Sequence, residues 1–199
     1  MRTVPNVGIA WLTVGFASKL APTGKTGRWL TNNSLNKGLK VMNEQLATDQ
    51  AVADFSAVAT GNQTIRLADF RGKNVVLYFY PKDNTPGCTL EGQQFRDHYK
   101  AFCDLDAVIL GVSRDGLRTH ENFRAKQGFP FHLLADKEAT LCQRFAVLKP
   151  KKMYGKEVIG VERSTFLIDK NGVLRRVWRN VKADGHAAEV LAALQEINP

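Results

Sequence analysis

Residues 75–80 read Val-Val-Leu-Tyr-Phe-Tyr, with no polar interruption. Six successive apolar or aromatic side chains leave no face for water, so the segment predicts a strand in a sheet covered on both sides by helices. A Pro-rich stretch from Pro81 to Gly87 then ends the strand and delivers Cys88 to the start of a helix. Thr85 is a good N-cap and Pro86 suits the first helical position, which puts Cys88 third. Backbone N–H groups there have no intrahelical acceptor. Together with the positive end of the helix dipole they favour a thiolate, the nucleophilic form of cysteine.

Around this segment the chain predicts two short strands, from Phe55 and at 64–66, joined by a turn at Gly61-Asn62, and then a helical turn over 67–70. The helix opened by Thr85 is expected to run unbroken to about Phe102, with Leu90, Phe95, Tyr99 and Phe102 along its core side. A buried strand at 107–112, a helix at 118–127, an extended piece at 131–134 and a brief helix at 140–145 follow. Strands at 158–161 and 164–168 come next. Asn171-Gly172 signals a two-residue hairpin into 173–178, and Val190, Leu191, Leu194 and Ile197 recur at helical spacing near the end. The pattern is that of an α/β sandwich.

Of the nine formal positive charges, six lie in residues 1–41, which contain no Asp or Glu; the remainder of the chain is nearly balanced, with 22 basic and 19 acidic side chains. Charge confined to a tail argues against nucleic-acid binding by the folded part. Residues 1–45 are expected to be an N-terminal extension: disordered, a targeting segment, or sequence foreign to the mature protein. The apolar stretch at 7–17 is too short to span a bilayer, so no membrane association is expected. The domain is assigned to residues 46–199. Cys88, Cys103 and Cys142 make no Cys-x-x-Cys pair and no metal-ligand spacing with His98, His120, His132 and His186. An odd count with wide gaps fits a reducing compartment, and the expected location is cytoplasmic, or exported or organellar if the first 41 residues are a targeting segment.

Pro81-x-x-x-Thr85-x-x-Cys88 resembles the active-site signature of the peroxiredoxins, thiol enzymes that reduce peroxides. The surrounding residues 78–89, with Leu67-Ala-Asp-Phe-Arg-Gly-Lys, Leu133-Leu-Ala-Asp and Arg163-Ser-Thr-Phe-Leu-Ile-Asp, are similar in particular to the bacterioferritin-comigratory, or PrxQ, branch. The resemblance implies a thioredoxin-like fold, a central mixed β-sheet flanked by helices. It also implies reduction of hydrogen peroxide and organic hydroperoxides without metal or organic cofactor, with thioredoxin or another thiol as reductant, by a monomer or weak dimer.

On this resemblance Cys88 attacks the peroxide and becomes a sulfenic acid. Thr85 bonds the peroxide and orients it, and Pro81 shields the thiolate from water. Arg163 supplies a permanent cation to the thiolate and the departing oxygen. Glu91, one turn after Cys88, either holds Arg163 by a salt bridge or is an ordinary exposed helix carboxylate. The chain departs from the branch at position 93, where a resolving cysteine is common and Gln93 stands here. Glutamine forms no disulfide, so an external thiol is the preferred reductant, with Cys142 or Cys103 as alternatives. Cys103 lies about 15 residues, or ~22 Å, further along the same expected helix, which would have to break for the two sulfurs to meet. The alternative functions are a thiol-disulfide oxidoreductase, disfavoured by the missing Cys-x-x-Cys, and a redox-responsive binding or chaperone protein.

Overall fold

Strand β3 (Asn74–Phe79) is buried along its whole length and lies near the middle of the sheet. It pairs in parallel with β4 (Ala107–Ser113) and antiparallel with β8 (Ser164–Ile168). Beyond β4 lie β5 (His132–Ala135) and the hairpin of β1 (Ser56–Ala59) and β2 (Gln63–Arg66); beyond β8 lies β9 (Leu174–Trp178). The order is β2-β1-β5-β4-β3-β8-β9, a mixed sheet as expected. This computed structural model describes residues 46–153 and 156–198, and the expectations for residues 1–45 fall outside them.

Because side chains alternate along a strand, β3 feeds two cores. Val75, Leu77 and Phe79 join Phe55, Leu141, Cys142, Phe145 and Phe166, while Val76 and Tyr78 join Cys88, Phe95, Phe102, Phe123, Phe131 and Val190. The second core is roofed by α1 (Pro86–Asp97), α2 (Tyr99–Asp104), α3 (Leu117–Gln127) and α5 (His186–Ile197). The first carries the short α4 (Thr140–Arg144). Phe95 fastens α1 to the sheet by stacking on Tyr78, with ring centroids 4.8 Å apart. Burying a side chain of that size stabilises by about 2 kcal/mol, enough to dominate the docking of so short a helix.

Three expectations are corrected, and one strand is found that the sequence reading left unassigned. The helix from Thr85 does not run to Phe102: it stops at Asp97, and His98, at φ −93° and ψ 2°, starts a separate helix. The His98 N–H closes the last i→i−4 bond of the helix, to Gln94 O at 3.1 Å, and its ring Nδ1 lies 2.9 Å from the same carbonyl, where the ladder ends. Leu90, expected in the core, is exposed. The hairpin at Asn171-Gly172 exists but is wider than two residues: Asp169 N–H bonds Val173 O, Gly172 N–H bonds Asp169 O, and only Gly172 of the pair takes positive φ, at 76°. Finally, β6 (Leu148–Met153) pairs with β7 (Lys156–Val161) as a separate two-stranded sheet. Pro150 and the lysines at 149, 151 and 152 disguise β6 as a loop, yet a strand pairing on only one side tolerates proline.

Candidate active site

The site forms where the chain leaves β3. Phe79 pairs with Ser164 across the β3–β8 ladder, so Arg163, just before β8, arrives beside the turn that leads into α1. The first helical bond runs from Thr89 N–H to Thr85 O at 2.9 Å, which leaves the N–H groups of Gly87 and Cys88 ahead of the ladder. Cys88 is 2% exposed, and Arg163 Nη2 lies 3.4 Å from its sulfur. A guanidinium at that range favours a thiolate electrostatically. A Cβ at Gly87 would stand 3.3 Å from the same nitrogen, so any larger residue there would require the guanidinium to give way by a few tenths of an ångström.

Glu91 is not the exposed helix carboxylate that was one of its two readings. It is fully buried, and its Oε2 receives Arg163 Nη1 in an ion pair. Burial pushes its carboxyl up to about 7 even though Arg163 acts against the rise. For Arg163 itself burial works against the charge, but Glu91 and Cys88 outweigh it and the guanidinium is held more firmly protonated. Structure therefore brings Cys88, Arg163 and Glu91 together from two segments 72 residues apart.

Thr85 and Pro81 flank this cluster on the turn. Thr85 occupies the N-cap position with extended backbone, but its side chain makes no capping bond; the hydroxyl instead donates to Lys82 O at 2.9 Å. Pro81 lines an open cleft with Arg114, Ile159 and Val161 from across the turn. A larger open groove, walled by Asn74, Asp169 and Asn198, lies at the other end of β3 and has no cysteine among its described lining residues.

The remaining cysteines stand apart. Cys142 is fully buried in the core on the opposite face of the sheet from Cys88, and burial, then the neighbouring Asp136, pushes its thiol up strongly. Cys103 is exposed on α2, beyond the break at His98. Gln93 donates to Gln127 Oε1 at 2.9 Å, tying α1 to α3, while Gln94 bonds Asp184 and the Gly185 N–H ahead of α5. Two polar residues that sequence reasoning passed over, Asp83 and His120, are buried beneath the turn. Their pairing spans 37 residues, so neither is marked by its neighbours in sequence as a partner of the other.

Residues 48–177 match the model of the AhpC/TSA family. The chain is 49% identical to peroxiredoxin Bcp of Bacillus subtilis over 149 residues, 75% of this chain and 95% of that one. It is also 49% identical over 145 residues to peroxiredoxin Bcp of Xanthomonas campestris, covering 73% and 91%. Among solved structures it resembles Xanthomonas campestris peroxiredoxin Q (TM-score 0.70, 48% identity, 73% and 92% covered). It likewise resembles a Xylella fastidiosa PrxQ variant (TM-score 0.75, 41% identity, 79% and 100% covered). The chain belongs to the AhpC/TSA family, as a peroxiredoxin of the bacterioferritin-comigratory type. It has the thioredoxin-like fold of these relatives and is a thiol-dependent peroxidase.

Proposed function

We propose that Cys88 is the peroxidatic nucleophile, that Arg163 stabilises both its thiolate and the departing oxygen, and that Glu91 holds Arg163 in place. The observation that carries this reading is Arg163 Nη2 at 3.4 Å from Cys88 Sγ, at the open start of a helix. The thiolate attacks the hydroxyl-bearing oxygen of a hydroperoxide R–O–OH. An S–O bond forms, the O–O bond breaks, sulfur is oxidised to the sulfenic acid, and the alkoxide leaves and is protonated to the alcohol. A thiol then condenses with the sulfenic acid, releasing water, and a second thiol cleaves the mixed disulfide to restore Cys88. Thr85 bonds the peroxide and Pro81 keeps water from the sulfur. The cleft beside Pro81, with apolar Ile159 and Val161 and cationic Arg114, suits an organic hydroperoxide as well as hydrogen peroxide.

The reductant is an external thiol, thioredoxin or a small thiol, because Gln93 cannot resolve and Cys142 and Cys103 lie outside the site. The protein acts as a monomer or weak dimer in the cytoplasm, with residues 46–199 forming the working domain. No described helix is long and apolar enough to cross a membrane. One equivalent of tert-butyl hydroperoxide followed by a sulfenic-acid trap tests the reading. Intact mass and peptide mapping should place the trapped group on Cys88 alone; a disulfide to Cys103 or Cys142 would overturn the external-thiol route.

A further inference from the structure

The turn at 81–85 contains a buried carboxylate to which the reaction scheme gives no task. Asp83 is 4% exposed, and its Oδ1 accepts the Tyr80 hydroxyl at 2.7 Å. Its Oδ2 lies 2.8 Å from Nδ1 of His120, a fully buried residue of α3. Nε2 of the same ring faces Leu134 O at 3.1 Å. Both ring nitrogens thus meet oxygen atoms of the protein, and the ring is held between the turn and β5. The Asp83 N–H in turn donates to Asp115 Oδ2 at 2.9 Å, and that oxygen also accepts from Ser113 at 2.7 Å. Burial keeps the Tyr80 phenol protonated, and so a donor.

Buried polar groups that satisfy one another hold one geometry, because removing either leaves the other without a partner and away from water. The geometry held here is that of the turn. Lys82, the residue before Asp83, offers its carbonyl to the Thr85 hydroxyl at 2.9 Å. The hydroxyl has one proton, and that proton is spent inward. The Thr85 oxygen is left as an acceptor, the polarity that the O–H of a hydroperoxide needs.

We propose that the Tyr80–Asp83–His120 network fixes the Lys82 carbonyl so that Thr85 presents an acceptor to the peroxide hydroxyl and aims the peroxide at Cys88. Asp83 and His120 are positioning residues, and their effect is exerted through Thr85. This rests on the reading of Cys88 as nucleophile and Thr85 as peroxide contact.

The test compares two reactions of Cys88, with tert-butyl hydroperoxide and with iodoacetamide, in Tyr80→Phe, His120→Gln, Thr85→Val and the Tyr80→Phe/Thr85→Val double variant. Peroxide oxidation should slow by about 10–100-fold in Tyr80→Phe and in His120→Gln, the scale on which small misplacements act. Alkylation, which needs only the thiolate beside Arg163, should stay within about twofold. In the Thr85→Val background Tyr80→Phe should cost nothing further, the signature of two residues acting as one unit. Equal losses in both reactions, or losses that multiply in the double variant, would overturn the proposal; the Tyr80→Phe cycle decides even where His120→Gln fails to fold. Failure of the underlying reading looks different, as a wild-type protein that takes up no oxygen at Cys88.

Discussion

Glu91 and Arg163 form a buried ion pair in which Oε2 of the carboxylate meets the guanidinium while Oε1 has no hydrogen-bond partner among the described residues. Such a half-satisfied carboxylate favours its own protonation in the folded state. With the carboxyl raised to about 7, the fold binds a proton that the unfolded chain, titrating near ~4.3, releases earlier. The stability it contributes is fully present below the unfolded value and is lost as pH rises through about 7. Urea midpoints measured between about pH 5 and pH 8 should therefore fall in the wild type, and Glu91→Gln should flatten that part of the slope. Parallel curves for the two proteins would refute it.

Arg163→Met should slow oxidation of Cys88 by peroxide by about 100-fold or more, because the variant loses the cation that faces both the thiolate and the developing alkoxide. Alkylation by iodoacetamide at neutral pH should also slow, since only the helix start remains to favour the thiolate. Stopped-flow oxidation and alkylation rates check both; unchanged rates would place Arg163 outside the chemistry.

Cys88→Ser should abolish peroxide reduction, whereas Cys103→Ser and Cys142→Ala should retain most single-turnover activity. Cys142→Ala carries a folding cost of about 1 kcal/mol, the scale of a small buried truncation, because its side chain is fully enclosed. Peroxide consumption and thermal melting separate the two effects. Residual turnover in Cys88→Ser would remove the central assignment.

What the chain discloses by itself is local. The strand, the Pro-rich turn and the cysteine at the start of a helix fall within 15 residues, so neighbours in sequence suffice to read them. Arg163 was recognisable through its motif, and the burial of Glu91 was not, since a helix carboxylate looks the same until its partner 72 residues away is placed. Asp83 and His120 escape for the same reason. The break at His98 escapes because the apolar periodicity carries on through it, and β6 escapes because its lysines and proline mask a strand that, among the described residues, pairs with β7 alone.

Gln93→Cys should, after one equivalent of peroxide, form a disulfide joining position 93 to Cys88, provided that the first turns of α1 unwind; sulfurs five residues apart on an intact helix point in different directions. Mass analysis should show loss of two hydrogens in the variant and none in the wild type. Persistence of the sulfenic acid in the variant would show that α1 stays wound.

A chain begun at Met42 should melt and react like the full-length protein, since residues 1–41 carry no periodic apolar face to contribute to a core. A large drop in melting temperature would assign residues 1–41 a share in folding.

Gln93 paired with Gln127, and Gln94 with Asp184, stitch the nucleophile's helix to its neighbours on two sides. On the external-thiol reading proposed above, an oxidised sulfur on a helix so fastened would stay in the niche where it was made. Peroxide and reductant must then call at a single doorway in alternation, each excluding the other. When oxidant floods in, the second caller is another peroxide, and the protein's lifetime as a catalyst is set by how fast thiol wins that race.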